Sequence, residues 1–173
     1  MEDTLIYGEG VECVALQLFE HNKQAYQKAS KMLETYGRAA VIHPTGTGKS
    51  FIAFQLIIDY PKASFLWLSP NEYIFESQRR NACSDFGNVL HMTYTRLMRM
   101  EEEQLEELCP EYIILDEFHR CGAYCWGVGV EGLLEKYPNA KVLGLSATPI
   151  RYLDNCRNMA EELFSVDGQF CVA

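Results

Sequence analysis

Short apolar runs alternate along the chain with stretches whose apolar residues recur every three or four positions. The runs predict strands at Arg38 to His43, Ala63 to Ser69, Val89 to Thr93, Tyr112 to Leu115 and Lys141 to Leu145. Helical spacing begins within residues 11–36, where Val14, Leu16, Leu18 and Phe19 are followed by Ala25, Tyr26, Ala29, Met32 and Leu33, and Gly37 supplies the stop. Further helices are predicted for Ser50 to Tyr60, closed by Pro61, for Glu72 to Ala82, Thr95 to Leu108, Val130 to Tyr137 and Arg157 to Phe164. The glycine-rich stretch from His119 to Gly129 has no period and reads as an irregular surface connection. Strands apolar along their whole length, each followed by a helix, predict an α/β fold: a three-layer arrangement with a parallel sheet covered by helices on both faces.

The polar motifs all fall at the carboxyl ends of the predicted strands, where open α/β sheets bind ligands. The first is His43-Pro44-Thr45-Gly46-Thr47-Gly48-Lys49-Ser50. Gly46 and Gly48 let the backbone wrap and aim N–H groups at phosphate oxygens, and the helix that follows adds its positive end. Lys49 can reach the β and γ phosphates of a nucleotide, and the Ser50 hydroxyl can ligate Mg²⁺. The strict GxxxxGK[ST] spacing is broken at its first position, His43. The second motif, Asp116-Glu117-Phe118-His119, pairs two acids at a strand end: Asp116 to hold Mg²⁺ and Glu117 to orient or deprotonate the attacking water. The third is Ser146-Ala147-Thr148-Pro149, which by itself is an ordinary turn.

The net charge of −9 argues against a free-standing, tight nucleic-acid binder and leaves open a weak or partner-dependent site; part of the charge is the local run Glu101 to Leu108. No apolar run is long enough to cross a bilayer, and the acidic start lacks a secretory layout, so no membrane association and a cytoplasmic location are expected. The seven cysteines are odd in number and are expected to be reduced. His119, Cys121 and Cys125 lie close together, yet no second pair completes a zinc set.

Taken in order and at their spacing, PTGTGKS, DEFH and SATP resemble motifs I, II and III of superfamily 2 helicases. The DExH form, with His119, resembles the DEAH-box and type III restriction (Res-subunit-like) branch. The resemblance runs from about residue 18 to 164. It implies an N-terminal extension at 1–17 and a RecA-like P-loop ATP-binding domain at 18–173, with ATP and Mg²⁺ as cofactors. Asn22 takes the place of an adenine-reading glutamine, with Gln24 as a competitor. Ser69, Pro70 and Asn71 resemble motif Ia, and Thr93, Tyr94 and Arg96 motif Ib, both implying contact with the nucleic-acid backbone. Ser146 and Thr148 are implied to couple nucleotide to nucleic acid through His119, whereas Trp126 reads as a packing residue.

The resemblance further implies a second RecA-like lobe carrying transition-state arginines, expected beyond Ala173; neither Arg120 nor Arg151 can be assumed to replace them. The function implied is the ATP-binding lobe of a DExH-type helicase or DNA translocase, with DNA as the nucleic-acid partner. Two alternatives stand beside it: a nucleotide-binding docking module without motor activity, and the motor part of a restriction system.

Overall fold

The computed structural model describes residues 16–73, 75–76, 86–151, 156–167 and 169–173. Its centre is a five-stranded sheet of β1 (Arg38–Ile42), β2 (Phe65–Ser69), β3 (Val89–Thr93), β4 (Tyr112–Asp116) and β5 (Lys141–Ser146). All four pairings are parallel, in the order β1-β5-β4-β2-β3. The helices are α1 (Glu20–Tyr36), α2 (Lys49–Asp59), α3 (Tyr94–Leu97), α4 (Glu102–Glu106), α5 (Tyr124–Lys136) and α6 (Met159–Phe164). Two small antiparallel pairs follow the sheet: β6 (Ile150–Arg151) with β7 (Arg157–Asn158), and β8 (Ser165–Val166) with β9 (Gln169–Phe170).

The near-continuous apolar strands are explained by two cores. Side chains alternate along a strand, so a sheet covered on both sides needs apolar residues at every position. Ala39, Val41, Phe65, Trp67, Ile114, Leu143 and Leu145 pack against α1 and α2 through Ala25, Ala29, Leu33, Ile52, Phe54 and Ile57. Their neighbours Ala40, Leu66, Leu68, Ile113, Leu115 and Val142 face the other way, onto Leu97 of α3, Val130 and Leu133 of α5, and Leu163 and Phe164 of α6. Each large apolar side chain buried this way contributes about 1.5–3 kcal/mol. Gly37 ends α1 as read from the sequence: it is left-handed, φ 71°, and its N–H caps the Leu33 carbonyl.

Three elements differ from expectation. The helix expected over Thr95 to Leu108 is two short helices. The Thr93 hydroxyl caps the first by accepting from Arg96 N at 3.1 Å, and Gln104 Oε1 accepts from Glu101 N at 3.0 Å to restart the second. The stretch from His119 to Gly129 is not an irregular loop but a 3₁₀ turn, Phe118–Gly122, running into α5. Two of its glycines allow close packing: a Cβ would lie 2.7 Å from Arg151 Cδ on Gly122 and 2.8 Å from the Cys121 carbonyl oxygen on Gly127. The last helix starts at Met159 because Arg157 and Asn158 pair with β6. The helix expected at Glu72 to Ala82 lies largely outside the described residues, as do residues 1–15 of the expected extension. Among the described residues no helix is long and apolar enough to cross a membrane.

Gly144 of β5 lies where a Cβ would enter the Phe164 ring and come within 2.9 Å of Phe118 Cδ1. Gly144→Ala should therefore destabilise the fold by roughly 1–3 kcal/mol in urea unfolding. Gly132→Ala, on the exposed side of α5 with nothing within 4 Å of the new methyl, should instead be neutral or stabilising by up to about 1 kcal/mol. Equal effects at the two positions would contradict the packing of the second core.

Candidate active site

Between β1 and α2 the chain makes a tight loop. Gly46 and Gly48 have φ of 82° and 80°, a region that side-chain-bearing residues avoid, so both positions favour glycine. Thr47 Oγ1 donates to the Pro44 carbonyl at 2.8 Å and closes the turn. α2 then starts at Lys49 without a side-chain cap, which leaves its first N–H groups and its positive end for an anion. Lys49 is buried and its ammonium lies across the loop, donating to the carbonyls of His43 at 2.9 Å and Pro44 at 3.1 Å.

The loop is held from behind by α1. Asn22 is fully buried, and its Nδ2 donates to the carbonyls of Thr47 at 2.8 Å and Gly48 at 3.3 Å, while Oδ1 has no partner. His21 Nε2 also lies 3.1 Å from the Thr47 carbonyl. The amide expected to read a base is thus committed to the phosphate loop; Gln24 is exposed. A Cβ on Gly48 would sit 3.1 Å from Asn22 Nδ2, so the missing side chain is also what lets α1 approach. His43, at the position where the strict spacing has glycine, is held below its ordinary pKa by burial, with His21 and Lys49 adding to the effect.

Asp116 ends β4, buried at 5% exposure. Burial, reinforced by the neighbouring Glu117 charge and opposed by Lys49, pushes its carboxyl up to about 7. A buried carboxylate carrying that penalty is a fitting ligand for a divalent cation, with Ser50 following Lys49 in the first turn of α2. Glu117 adopts a left-handed conformation, φ 53°, which for a non-glycine residue costs about 1–2 kcal/mol and turns the chain out of the strand. His119 Nδ1 then lies 3.3 Å from Glu117 Oε2 and 2.8 Å from Ser146 Oγ. The Ser146 hydroxyl donates to the Thr148 carbonyl at 2.7 Å, so the His119 contact is Nδ1–H donating to Ser146. The hydrogen bond from His119 is also the largest influence lowering the Glu117 pKa. In this way the second and third motifs meet through one imidazole.

The motif Ia and Ib residues divide between buried and surface positions. Ser69 is buried, its hydroxyl donating to the Asn71 carbonyl at 2.7 Å and lying 2.8 Å from His91 Nε2. The Thr93 hydroxyl caps α3. Tyr94 is 1% exposed, and its hydroxyl donates to the Asp116 carbonyl at 2.8 Å, so it supports the acidic strand end. Pro70 and Asn71 remain at the surface. Sequence reading missed the roles of His21 and Tyr94; both act on backbone carbonyls far along the chain, and no local pattern signals that. Cys121 is buried and its thiol is pushed up to about 12, which disfavours the thiolate that a metal would need. A separate cavity of about 440 Å³ beside Tyr60, Tyr112 and Lys141 contains none of the motif residues.

The family model described as "Type III restriction enzyme, res subunit" matches residues 15–99 and 77–151. Among curated proteins, the chain is 26% identical to a type I restriction enzyme EcoAI endonuclease subunit of Escherichia coli, over 65% of this chain and 17% of that protein. It is 24% identical to the provisionally named ATP-dependent DNA helicase fml2 of Schizosaccharomyces pombe, over 86% of this chain and 23% of that protein. The chain therefore spans about a fifth of the length of the curated relatives it matches. In fold it resembles the SWI2/SNF2 ATPase core of Sulfolobus solfataricus solved in complex with dsDNA, with a TM-score of 0.55 and 15% identity over 77% of this chain and 32% of that one. With the family model covering most of its length, the chain belongs to the type III restriction enzyme Res-subunit family, and its fold is the RecA-like ATPase domain of superfamily 2 helicases.

Proposed function

We propose that the chain is the ATP-binding lobe of a nucleic-acid-dependent ATPase of the DExH type, which hydrolyses ATP when joined to a second lobe and drives movement on, or unwinding of, DNA. The observation that carries this reading is the contact of His119 with both Glu117 and Ser146, which ties the acid beside the phosphate loop to the end of β5. A relative named as a DNA helicase and a fold neighbour bound to dsDNA support the choice of nucleic acid. The restriction-subunit family description and the EcoAI relative favour one further setting, the motor part of a restriction system. Residues 18–173 would form this domain, preceded by an extension at 1–17.

The triphosphate would replace the His43 and Pro44 carbonyls as the partner of Lys49, while Thr45, Gly46, Thr47 and Gly48 wrap it and the open end of α2 faces its charge. Asn22 and His21 act by holding Thr47 and Gly48 in position. Glu117, kept ionised by His119, would orient water and take its proton as the water oxygen attacks the γ-phosphorus and the bond to the β–γ bridging oxygen breaks. Mg²⁺, held by Asp116 and Ser50, would supply neutralisation of phosphate charge. Arginines from a second lobe contribute a factor of roughly 10³–10⁵ in related phosphate-loop enzymes, so this lobe alone should turn over slowly.

A fluorescent-nucleotide titration paired with phosphate release tests the assignment. Lys49→Ala should lose nucleotide affinity by about tenfold or more, the scale of a lost charge-assisted contact. Glu117→Gln should keep that affinity and lose about 10²–10⁴-fold in whatever turnover the second lobe and DNA restore. Unchanged binding in Lys49→Ala would defeat the nucleotide reading.

For Asn22→Ala, ATP and GTP binding should weaken together, because the loop itself is loosened. A loss confined to ATP would return Asn22 to base reading.

The raised Asp116 pKa also sets a pH dependence in metal-free buffer. The folded state holds its proton up to about pH 7, whereas the unfolded carboxyl releases it near its ordinary value, 3.8. Between those values the folded state binds more protons, so stability should fall as pH rises through this window. Asp116→Asn should remove that slope and raise stability at pH 8, by at most about 4 kcal/mol at roughly 1.4 kcal/mol per unit. Thermal unfolding across the window measures it, and a slope retained in the variant would locate the effect elsewhere.

A further inference from the structure

A cavity of about 530 Å³ lies beside the active site, lined by His119, Arg120, Trp126, Thr148 and Arg151 among others. Its size falls in the range of small-molecule sites, roughly 300–1,000 Å³. In a chain of net charge −9 its charged lining is basic: the guanidiniums of Arg120 and Arg151, with no carboxylate among the described lining residues. Trp126 of α5 is stacked on Tyr94, with ring centroids 5.1 Å apart and planes 17° apart. The ring is therefore held in a fixed plane from within the core. Arg151 is seated by the absence of a side chain at Gly122, where a Cβ would lie 2.7 Å from Arg151 Cδ.

We propose that this cavity takes one unpaired nucleotide of a nucleic-acid strand, its base stacked on Trp126 and its phosphate held by Arg120, with Arg151 forming part of the wall. The inference rests on the reading of the chain as a nucleic-acid-dependent ATPase lobe and assigns that lobe a base-stacking site apart from motifs Ia and Ib. A supported indole beside guanidiniums is the chemistry that binds single strands without reading their sequence. An acidic protein segment would use the arginines and leave the aromatic platform idle. The site also has two routes to the reaction centre. Tyr94, under Trp126, donates to the Asp116 carbonyl, and His119, in the cavity wall, contacts Glu117 and Ser146.

The test uses the full 173-residue chain with fluorescein-labelled dT12 and rU12, read by anisotropy over a salt series and by tryptophan emission. The chain has two tryptophans and Trp67 is fully buried, so quenching by oligonucleotide reports on Trp126. Trp126→Ala should weaken binding by about tenfold. Trp126→Phe, which preserves the ring stack and guards against misfolding, should bind within a fewfold of the parent but lose the quench. Arg120→Gln should reduce the slope of log K against log salt by about 0.7, the single-strand value for one phosphate contact. Fluorescent-nucleotide binding, measured on the same samples, should be unchanged in all three.

Tighter binding of one oligonucleotide identifies the strand as DNA or RNA, and either supports the site. Variants that bind like the parent, with the same salt slope, overturn the cavity proposal and leave the ATPase reading standing. Displacement of the oligonucleotide by polyglutamate as readily as by unlabelled dT12 overturns it in favour of a protein-docking surface. A parent chain that binds neither oligonucleotide at low salt overturns it together with the nucleic-acid part of the reading. Loss of fluorescent-nucleotide binding in the Trp126 and Arg120 variants would place these residues in the nucleotide site and overturn the cavity proposal, leaving the ATPase reading standing.

Discussion

The Asp116 carboxylate stands at the end of a strand whose other residues are all buried and uncharged. Placing a charge there is costly, and the cost is offset only by what the neighbouring strand ends and loops supply. Lys49 approaches from the loop after β1, Tyr94 braces the Asp116 carbonyl from the end of β3, and the left-handed turn at Glu117 swings the next acid away from the strand. Parallel pairing makes this convergence possible. Because β1, β5 and β4 run side by side in the same direction, Ile42 pairs with Ser146, and Asp116 with Leu145. Three polar ends, far apart in the chain, therefore open on one edge of the sheet.

Serine recurs at this edge with a shared arrangement. Ser69 and Ser146 each close a strand by donating to a carbonyl two residues on, and each lies against a histidine ring nitrogen. The similarity stops at the surroundings. His91 is stacked on Phe75 at 4.2 Å and held below its ordinary pKa by burial, whereas His119 reaches the Glu117 carboxylate. One histidine of the two packs on an aromatic ring at the half-buried edge strand, and the other contacts a carboxylate.

The sheet was legible in the sequence because burial on both faces leaves an unmistakable signal: runs such as Phe65 to Leu68 with no polar interruption. The phosphate loop was legible because the backbone at positions 46 and 48 favours glycine. The helix across Trp126 was not, since Gly127, Gly129 and Gly132 argue against helix by propensity, and tertiary packing overrides them. Nor were the inward-facing roles of Asn22 and Tyr94. Each is polar and lies in a motif-like stretch, yet each is buried against a backbone carbonyl contributed by a distant segment. Local pattern shows which residue types are present, but not which side of an element the rest of the chain will cover.

The position of β1 in the sheet has a consequence for biogenesis. β1 is made early, but its partner in the sheet, β5, is made after β2, β3 and β4, and its other edge is met by residues 171–173. During vectorial synthesis the strand that carries the phosphate loop must wait, apolar and unpaired, while most of the domain emerges. A parallel sheet closed by such late, sequence-distant pairing forms slowly. Until residues 141–173 emerge, the nascent domain therefore presents β1 as an unpaired apolar edge, open to wrong pairing.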